Sequence, residues 1–235
     1  MISTRLTGGA LELLDQATLN RRELRTSLQD VGRLNRWFGG TSAVVSEVGR
    51  IIRTHGLKGR ISVLDIGAGG ADIPRALVRW GERRGLGVEV VACDLHGQVA
   101  ALAAEFSSDY ASIRITQCDA MELPFPAGHF DCVTCSLMLH HLGEQDVIAL
   151  LEKLRQLPRH ALIACDLERS RRGYTGVWLA THLVCRSRMT RHDGPLSVLR
   201  AYTLAELRAL SRRAGCQSMH WSRRAFFRVV GVLEE

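Results

Sequence analysis

Val63-Leu64-Asp65-Ile66-Gly67-Ala68-Gly69-Gly70-Ala71-Asp72-Ile73 is an apolar run that ends in an acid, turns through three glycines and opens a helical pattern from Pro74 to Arg84. Glycine lets the backbone turn sharply and approach a bound group closely, because no Cβ intervenes. A βαβ nucleotide site begins in this way. Alone, the turn leaves several cofactors open. The last small position is Ala71 rather than glycine, which still permits close packing of helix on strand.

Working outward, the pattern alternates. Strands are predicted at Ile61–Ile66, Val88–Asp94, Ile113–Gln117, Phe130–Ser136 and Ala161–Asp166. Helices are predicted over Ile73–Arg84, Gln98–Phe106 and Asp146–Gln156. Runs such as Val88-Glu89-Val90-Val91-Ala92 suit a largely parallel sheet covered on both faces, a doubly wound α/β fold. Tyr174–Arg188 reads as an extra apolar helix and Met189 to Ser197 as a loop, together an inserted lid over about residues 171–200. Thr203-Leu204-Ala205-Glu206 is a capping box that opens a helix over Leu204–Ala214. Gln217–Trp221 and Phe226–Val232 read as two strands joined by the basic turn Ser222-Arg223-Arg224. That connection is too short for a parallel crossover, so the last strand must run antiparallel.

Upstream, residues 10–56 read as helical. Leu24, Leu28, Val31 and Leu34 keep helical spacing, Gly39-Gly40 breaks it, and Thr41 or Ser42 is expected to cap a second helix. The chain therefore divides into a helical cap, 1–59, and a main domain, 60–235.

A chain of 235 residues that is 46% hydrophobic suits a globular unit with a sizeable core. No apolar run approaches the ~20 residues of a membrane span. Glu12 and Asp15 interrupt the N-terminal stretch, which argues against a secretory signal. Seven cysteines, an odd number, read as reduced thiols in a cytoplasmic protein. Cys132 and Cys135 lack a second ligand pair at metal-binding spacing, so no metal is expected. The net charge of +7 is nearly all arginine, Lys58 and Lys153 being the only lysines. A basic surface favours acidic partners, nucleic acid or membrane headgroups. Without a zinc knuckle, an RNA-recognition signature or an aromatic-interleaved basic repeat, nucleic acid is the weaker reading.

Ligands of a doubly wound sheet sit outside the carboxyl ends of its strands. Asp65, Gly67, Ala68 and Gly69 after the first strand, Asp94 and Leu95 after the second, Asp119, Ala120 and Met121 after the third, and Ser136 to His141 after the fourth should therefore converge. The interval from Ala71 to Asp94 is near the ~20 residues expected for a ribose-binding acid. A diphosphate cofactor favours a helix N-terminus free of acids, and Asp72 opposes one here.

Seven strands with an antiparallel final hairpin and acids at successive strand ends resemble the class I methyltransferases over residues 60–235. The resemblance implies S-adenosylmethionine as cofactor. It gives Asp94 the ribose hydroxyls, Asp119 the adenine amine and the Ala120 N–H a ring nitrogen. Leu95 and Met121 would sandwich the adenine, and Asp65 would orient the glycine turn near the amino end of the methionine moiety. A hydroxyl acceptor must also lose its proton, for which histidine is the usual base. Candidates are His140 and His141 after the fourth strand, and His192 in the lid. Arg191 and Asp193 are candidates to hold a polar substrate group, and Trp178, on the apolar stripe of the inserted helix, to enclose a lipophilic one.

Leu34-Asn35-Arg36, Gly70-Ala71-Asp72-Ile73-Pro74-Arg75, Ser136-Leu137-Met138-Leu139-His140-His141-Leu142 and Arg191-His192-Asp193-Gly194-Pro195 resemble a narrower group, bacterial methyltransferases found alongside type III polyketide synthases. More distantly they resemble quinone-biosynthesis C-methyltransferases. The first likeness implies O-methylation of a small phenol, pyrone or quinol in secondary metabolism. C-methylation of a quinone precursor, RNA methylation, and cofactor binding without turnover are the alternatives. Arg36 is read as a solvated arginine, and the chain as a monomer or homodimer.

Overall fold

The computed structural model describes residues 5–6, 12–15 and 20–234. The other residues of the expected N-terminal helix, among them 10, 11 and 16–19, lie outside the described residues. Seven strands form one sheet in the order β3-β2-β1-β4-β5-β7-β6. β1 (Arg60–Ile66), β2 (Gly87–Asp94), β3 (Ile113–Gln117), β4 (Phe130–Ser136) and β5 (Pro158–Leu167) are parallel. β7 (Arg228–Glu234) runs antiparallel to both β5 and β6 (His220–Arg224). The strand order reverses beside β1, which opens a crevice at the carboxyl ends of β1 and β4.

Alternate residues of each strand feed two apolar layers. On one face, Val63, Val90, Ile163 and Val230 pack with α2 (Gly40–Thr54) and α3 (Asp72–Glu82). On the other, Leu64, Val133, Leu162 and Val229 pack with α5 (Glu144–Leu154) and α8 (Leu204–Arg213). The capping box at Thr203 and Glu206 forms as its residue pattern requires.

α4 (Gly97–Phe106) meets α1 (Arg21–Trp37) through Val99, Leu102, Leu24 and Leu28, with Met189 joining them. α1 also supplies the acids that cap α7 (Arg188–Arg200). Asp30 accepts from the Arg186 and Ser187 N–H groups at 2.7 and 2.8 Å, and Glu23 from Ser187 Oγ and Met189 N–H at 2.7 and 3.1 Å. Carboxylates at a helix N-terminus satisfy its unpaired N–H groups.

Four local expectations are corrected. Met189 to Ser197, read as a loop, is the body of α7 with Pro195 inside it. Pro costs an interior helix ~3 kcal/mol; here the acidic caps and the burial of Met189, Leu196 and Val198 offset it. The final turn is Ala225-Phe226-Phe227, not Ser222-Arg223-Arg224, because Arg223 and Arg224 are held in β6 by ion pairs to Glu168 and Glu47. α2 starts at Gly40 behind a left-handed Gly39, φ 78°, without a Thr41 or Ser42 side-chain cap. Cys93, in β2, and Cys118, just past β3, form a disulfide, whereas Cys132, Cys135, Cys165, Cys185 and Cys216 are buried free thiols.

Candidate active site

At the switch point lies a cavity of about 310 Å³. All ten residues assigned to a cofactor from sequence line it: Asp65, Gly67, Ala68, Gly69, Asp94, Leu95, Asp119, Ala120, Met121 and Ser136. The glycine turn takes left-handed backbone at Gly67, φ 65°, and Gly69, φ 51°. No heavy atom lies within 4 Å of a Cβ built at Gly69, so the turn presents bare backbone to the space beside it. Asp94 holds this backbone in place, one oxygen accepting from Gly69 N–H at 2.9 Å and the other from His96 N–H at 3.0 Å. Asp119 accepts from Met121 N–H at 2.8 Å and so shapes the loop after β3.

Four carboxyl groups line this one cavity, Asp65, Asp72 and Asp94 beside the glycine turn and Asp119 after β3. Burial pushes Asp65 up to about 7; a 2.6 Å bond from Thr134 Oγ1 opposes the rise, and Asp72 and Asp94 add to it. Burial also raises Asp72, against a 3.2 Å bond from Asn35 Nδ2, and Asp94, against its two backbone bonds. Such a site favours a cation, which would restore the charged form of the acids. Ser136 Oγ is buried at the wall with no hydrogen-bond partner among the described residues. A buried hydroxyl left this way is a place for a ligand group.

A second cavity, about 250 Å³, adjoins the first and shares Leu14, Val31, Asn35, Leu137 and His141 with it. Its walls are mainly apolar: Leu34, Phe38, Leu167, Val177, Ala180, Phe226 and Phe227, from α1 and the residue after it, the end of β5, α6 (Arg171–Val184) and the β6–β7 turn. Arg228 enters from β7, buried and bonded to Asn35 Oδ1 at 2.9 Å. Leu137, Phe226 and Phe227 hold positive φ of 54°, 58° and 59°. Left-handed backbone is costly for such side chains, and strain of this kind concentrates where a site dictates the shape.

His140 and His141 stand at the junction. His140 is buried, with Nδ1 2.7 Å from Asp166 Oδ1 and its N–H donating to Asp166 Oδ2 at 3.2 Å. Burial alone would raise Asp166, but the His140 imidazole and the Leu167 N–H hold it below the ordinary carboxylate value. Glu12 closes the cluster. Its oxygens lie 3.8 Å from His140 Nε2, 3.7 Å from His141 Nε2 and 3.7 Å from Arg200, and Ser197 donates to it at 3.1 Å. One side-chain nitrogen or oxygen from each of Glu12, His140 and His141 lies within 4.8 Å of the others. Sequence reading missed Asp166, Glu12 and Asn35. The one available signal was Asp166 at the end of a strand, where the other site acids also stand.

The lid candidates are corrected. His192 is 54% exposed on the outer side of α7, bonded to its neighbour Asp193 at 2.8 Å, and lines neither cavity. Arg191 turns away to the Cys185 carbonyl at 2.7 and 3.0 Å, tying α6 to α7. Trp178 points outward and stacks on His182. On α7, Arg191 and His192 are exposed, whereas Met189, Thr190, Asp193 and Leu196 are buried. Asp193 does line the second cavity, yet its carboxylate is used to accept from the Leu13 and Leu14 N–H groups at 2.8 and 3.1 Å. That bond fastens the segment carrying Glu12 over the site. Arg36 is exposed, as read.

Residues 63–160 match the methyltransferase domain family. The ubiquinone/menaquinone biosynthesis C-methyltransferase UbiE of Nitrosospira multiformis is 32% identical over 120 residues, 50% of this chain and 48% of that protein. The chain spans about half the length of the curated relatives it matches. Among solved structures, the plantazolicin methyltransferase BpumL in complex with SAH superposes with a TM-score of 0.65 at 13% identity, covering 92% of this chain and 95% of that one. Human N-acetylserotonin methyltransferase in complex with SAM gives 0.65 at 14%, covering 92% and 56%. The seven-stranded sheet is the class I methyltransferase fold.

Proposed function

We propose that the chain is an S-adenosylmethionine-dependent methyltransferase acting on a hydroxyl oxygen of a small lipophilic phenol, pyrone or quinol. The observation that carries this reading is the meeting of Asp65, Asp72 and Asp94 on one cavity whose floor is the bare Gly69 backbone. The donor set fits the cofactor. Asp94 would take the ribose hydroxyls, Asp119 and the Ala120 N–H the adenine, and Leu95 and Met121 its faces. Asp65 and Asp72 would face the cationic methionine end. When bound, S-adenosylmethionine supplies a methyl group already activated by a sulfonium, so the protein has chiefly to orient the acceptor and exclude water.

The second cavity suits the acceptor: apolar around its length, with Arg228 and the histidine pair at its polar points. Asp166 fixes the orientation of His140 through Nδ1, so that Nε2 faces the cavity side and Glu12. His140, or His141 beside it, takes the acceptor proton there, and Arg228 favours the resulting oxyanion. A second reading, methylation at ring carbon, is supported by the C-methyltransferase relatives. Removal of the same proton activates the ring carbon of a phenol as well as its oxygen.

The test is incubation of the full chain with methyl-labelled cofactor and an array of phenols, pyrones, quinols and quinone precursors, with products located by mass and carbon-13 shift. Label on oxygen supports the first reading and label on ring carbon the second. A chain that fails to bind the cofactor overturns both.

A further inference from the structure

One face of α6 is explained by the second cavity; the other is not. Gly176, Val177, Ala180 and Thr181 point inward and line the cavity. On the outer side Tyr174, Trp178, Leu179 and Leu183 are 36, 45, 49 and 75% exposed. Phe226, which also lines that cavity, is itself 51% exposed. Exposed Thr175 and His182 share this face, His182 stacked on Trp178, and large apolar side chains grouped on a surface mark an interaction site.

The charges around the stripe say what kind. From residue 169 to residue 192 the chain has no Asp or Glu but six arginines. Arg169 is buried against Glu206 and Arg191 is tied to Cys185. Arg171 and Arg172 at the start of α6, and Arg186 and Arg188 just beyond its end, are exposed. An apolar stripe bracketed by cations is the pattern of a helix lying in a bilayer interface. No described helix is long and apolar enough to cross a membrane, so this contact lies on the surface.

We propose that the outer face of α6 docks on an anionic lipid bilayer. Tyr174, Trp178, Leu179 and Leu183 sit at the acyl boundary, while the four exposed arginines meet acidic headgroups. A second copy of the chain fits this face poorly. A two-fold contact sets the same patch against itself and so brings like-charged arginine clusters together. Docking also places the wall of the second cavity against the bilayer, from which a lipophilic acceptor can pass inward. That use rests on the methyl-transfer reading; the docking itself does not.

The experiment is flotation of the purified full chain with vesicles of phosphatidylcholine mixed with phosphatidylglycerol, and with phosphatidylcholine alone. The chain should float with the anionic vesicles at low salt, remain behind with the neutral ones, and be released as salt rises. The pair Leu179→Ser with Leu183→Ser, and separately Arg171→Glu with Arg172→Glu, should each weaken binding roughly tenfold or more. Unchanged melting curves and cofactor titrations check that the variants are folded; the single Leu183→Ser serves if a pair is not. Failure to float, or flotation indifferent to both pairs, overturns the proposal. So does a dimer in solution that dissociates on Leu183→Ser. Flotation by a chain that ignores S-adenosylmethionine overturns only the methyltransferase reading.

Discussion

Asp65, Asp94 and Asp119 were legible residue by residue because each sits at or just past a strand end, where chain order alone fixes its place, whereas Asp72 opens α3. What sequence could not give is their mutual effect, which needs distances. Burial, and to a smaller extent the neighbouring carboxylates, lift Asp65 to about 7. Its pKa in the folded chain lies above the ordinary value near 4, so the empty protein binds more protons than the unfolded chain between about pH 4 and 7. Stability from this group is therefore present at low pH and lost as pH rises through about 7. A cationic ligand reverses the preference and expels the proton. Affinity for S-adenosylmethionine should rise with pH up to about 7 and then level. Calorimetry in buffers of different ionisation heat should detect proton release that Asp65→Asn reduces. The uncharged-sulfur product S-adenosylhomocysteine should release less. Equal release by both would remove the electrostatic account of the site.

The base cluster belongs to the same scale. His140 was visible beside His141 in sequence, but Asp166 and Glu12 reach it from 26 and 128 residues away, and nothing local announces them. His140→Ala should lower kcat on a hydroxyl acceptor by roughly 10² or more at neutral pH. Asp166→Asn should lower it by at least about tenfold while leaving cofactor affinity unchanged. Both losses should shrink where pH already ionises the acceptor. A loss that stays constant with pH would mean positioning rather than proton removal.

At the scale of elements, the sequence was most legible where one element's own pattern decides its state, as in β1, β2, β4 and the capped α8. It misled where a neighbour decides. Gly194-Pro195 looks like a break, yet Gly194 packs tightly against α6: a Cβ there would stand 2.7 Å from Thr181 Cγ2. Gly194→Val should therefore destabilise the chain by about 1–3 kcal/mol through overpacking, read from denaturant unfolding. The glycine turn offers the opposite case. Ala71 is held at φ 54°, ψ 32°, which is costly for any residue with a Cβ. Ala71→Gly should stabilise by up to ~1 kcal/mol, since relief of left-handed strain outweighs the added chain entropy. A melting point lowered by that change would show that the Ala71 methyl, fully buried here, matters more to packing than to strain.

Across the whole molecule, one side chain hydrogen-bonds a charged group of each cavity. Asn35 lines both, donating to Asp72 at 3.2 Å in the first and accepting from Arg228 at 2.9 Å in the second. It stands on α1, so the N-terminal helices complete the site as well as cover it. The sequence exposed the motif Leu34-Asn35-Arg36 but not this role, because Asn35 meets Arg228 from 193 residues away. Both partners are charged groups drawn out of water, and each uses the amide to offset part of that cost. Asn35→Ala leaves Asp72 and Arg228 without it and should cost about 1–3 kcal/mol of stability. Its sharper signature is functional. If the amide transmits charge between the cavities, the wild-type chain should bind acceptor more tightly when cofactor is present, and the variant should lose that dependence by reciprocal linkage. Titrating acceptor with and without S-adenosylhomocysteine, in wild type and Asn35→Ala, measures the coupling directly. A variant that is less stable but keeps the full difference would show that Asn35 braces the wall between two sites that act independently.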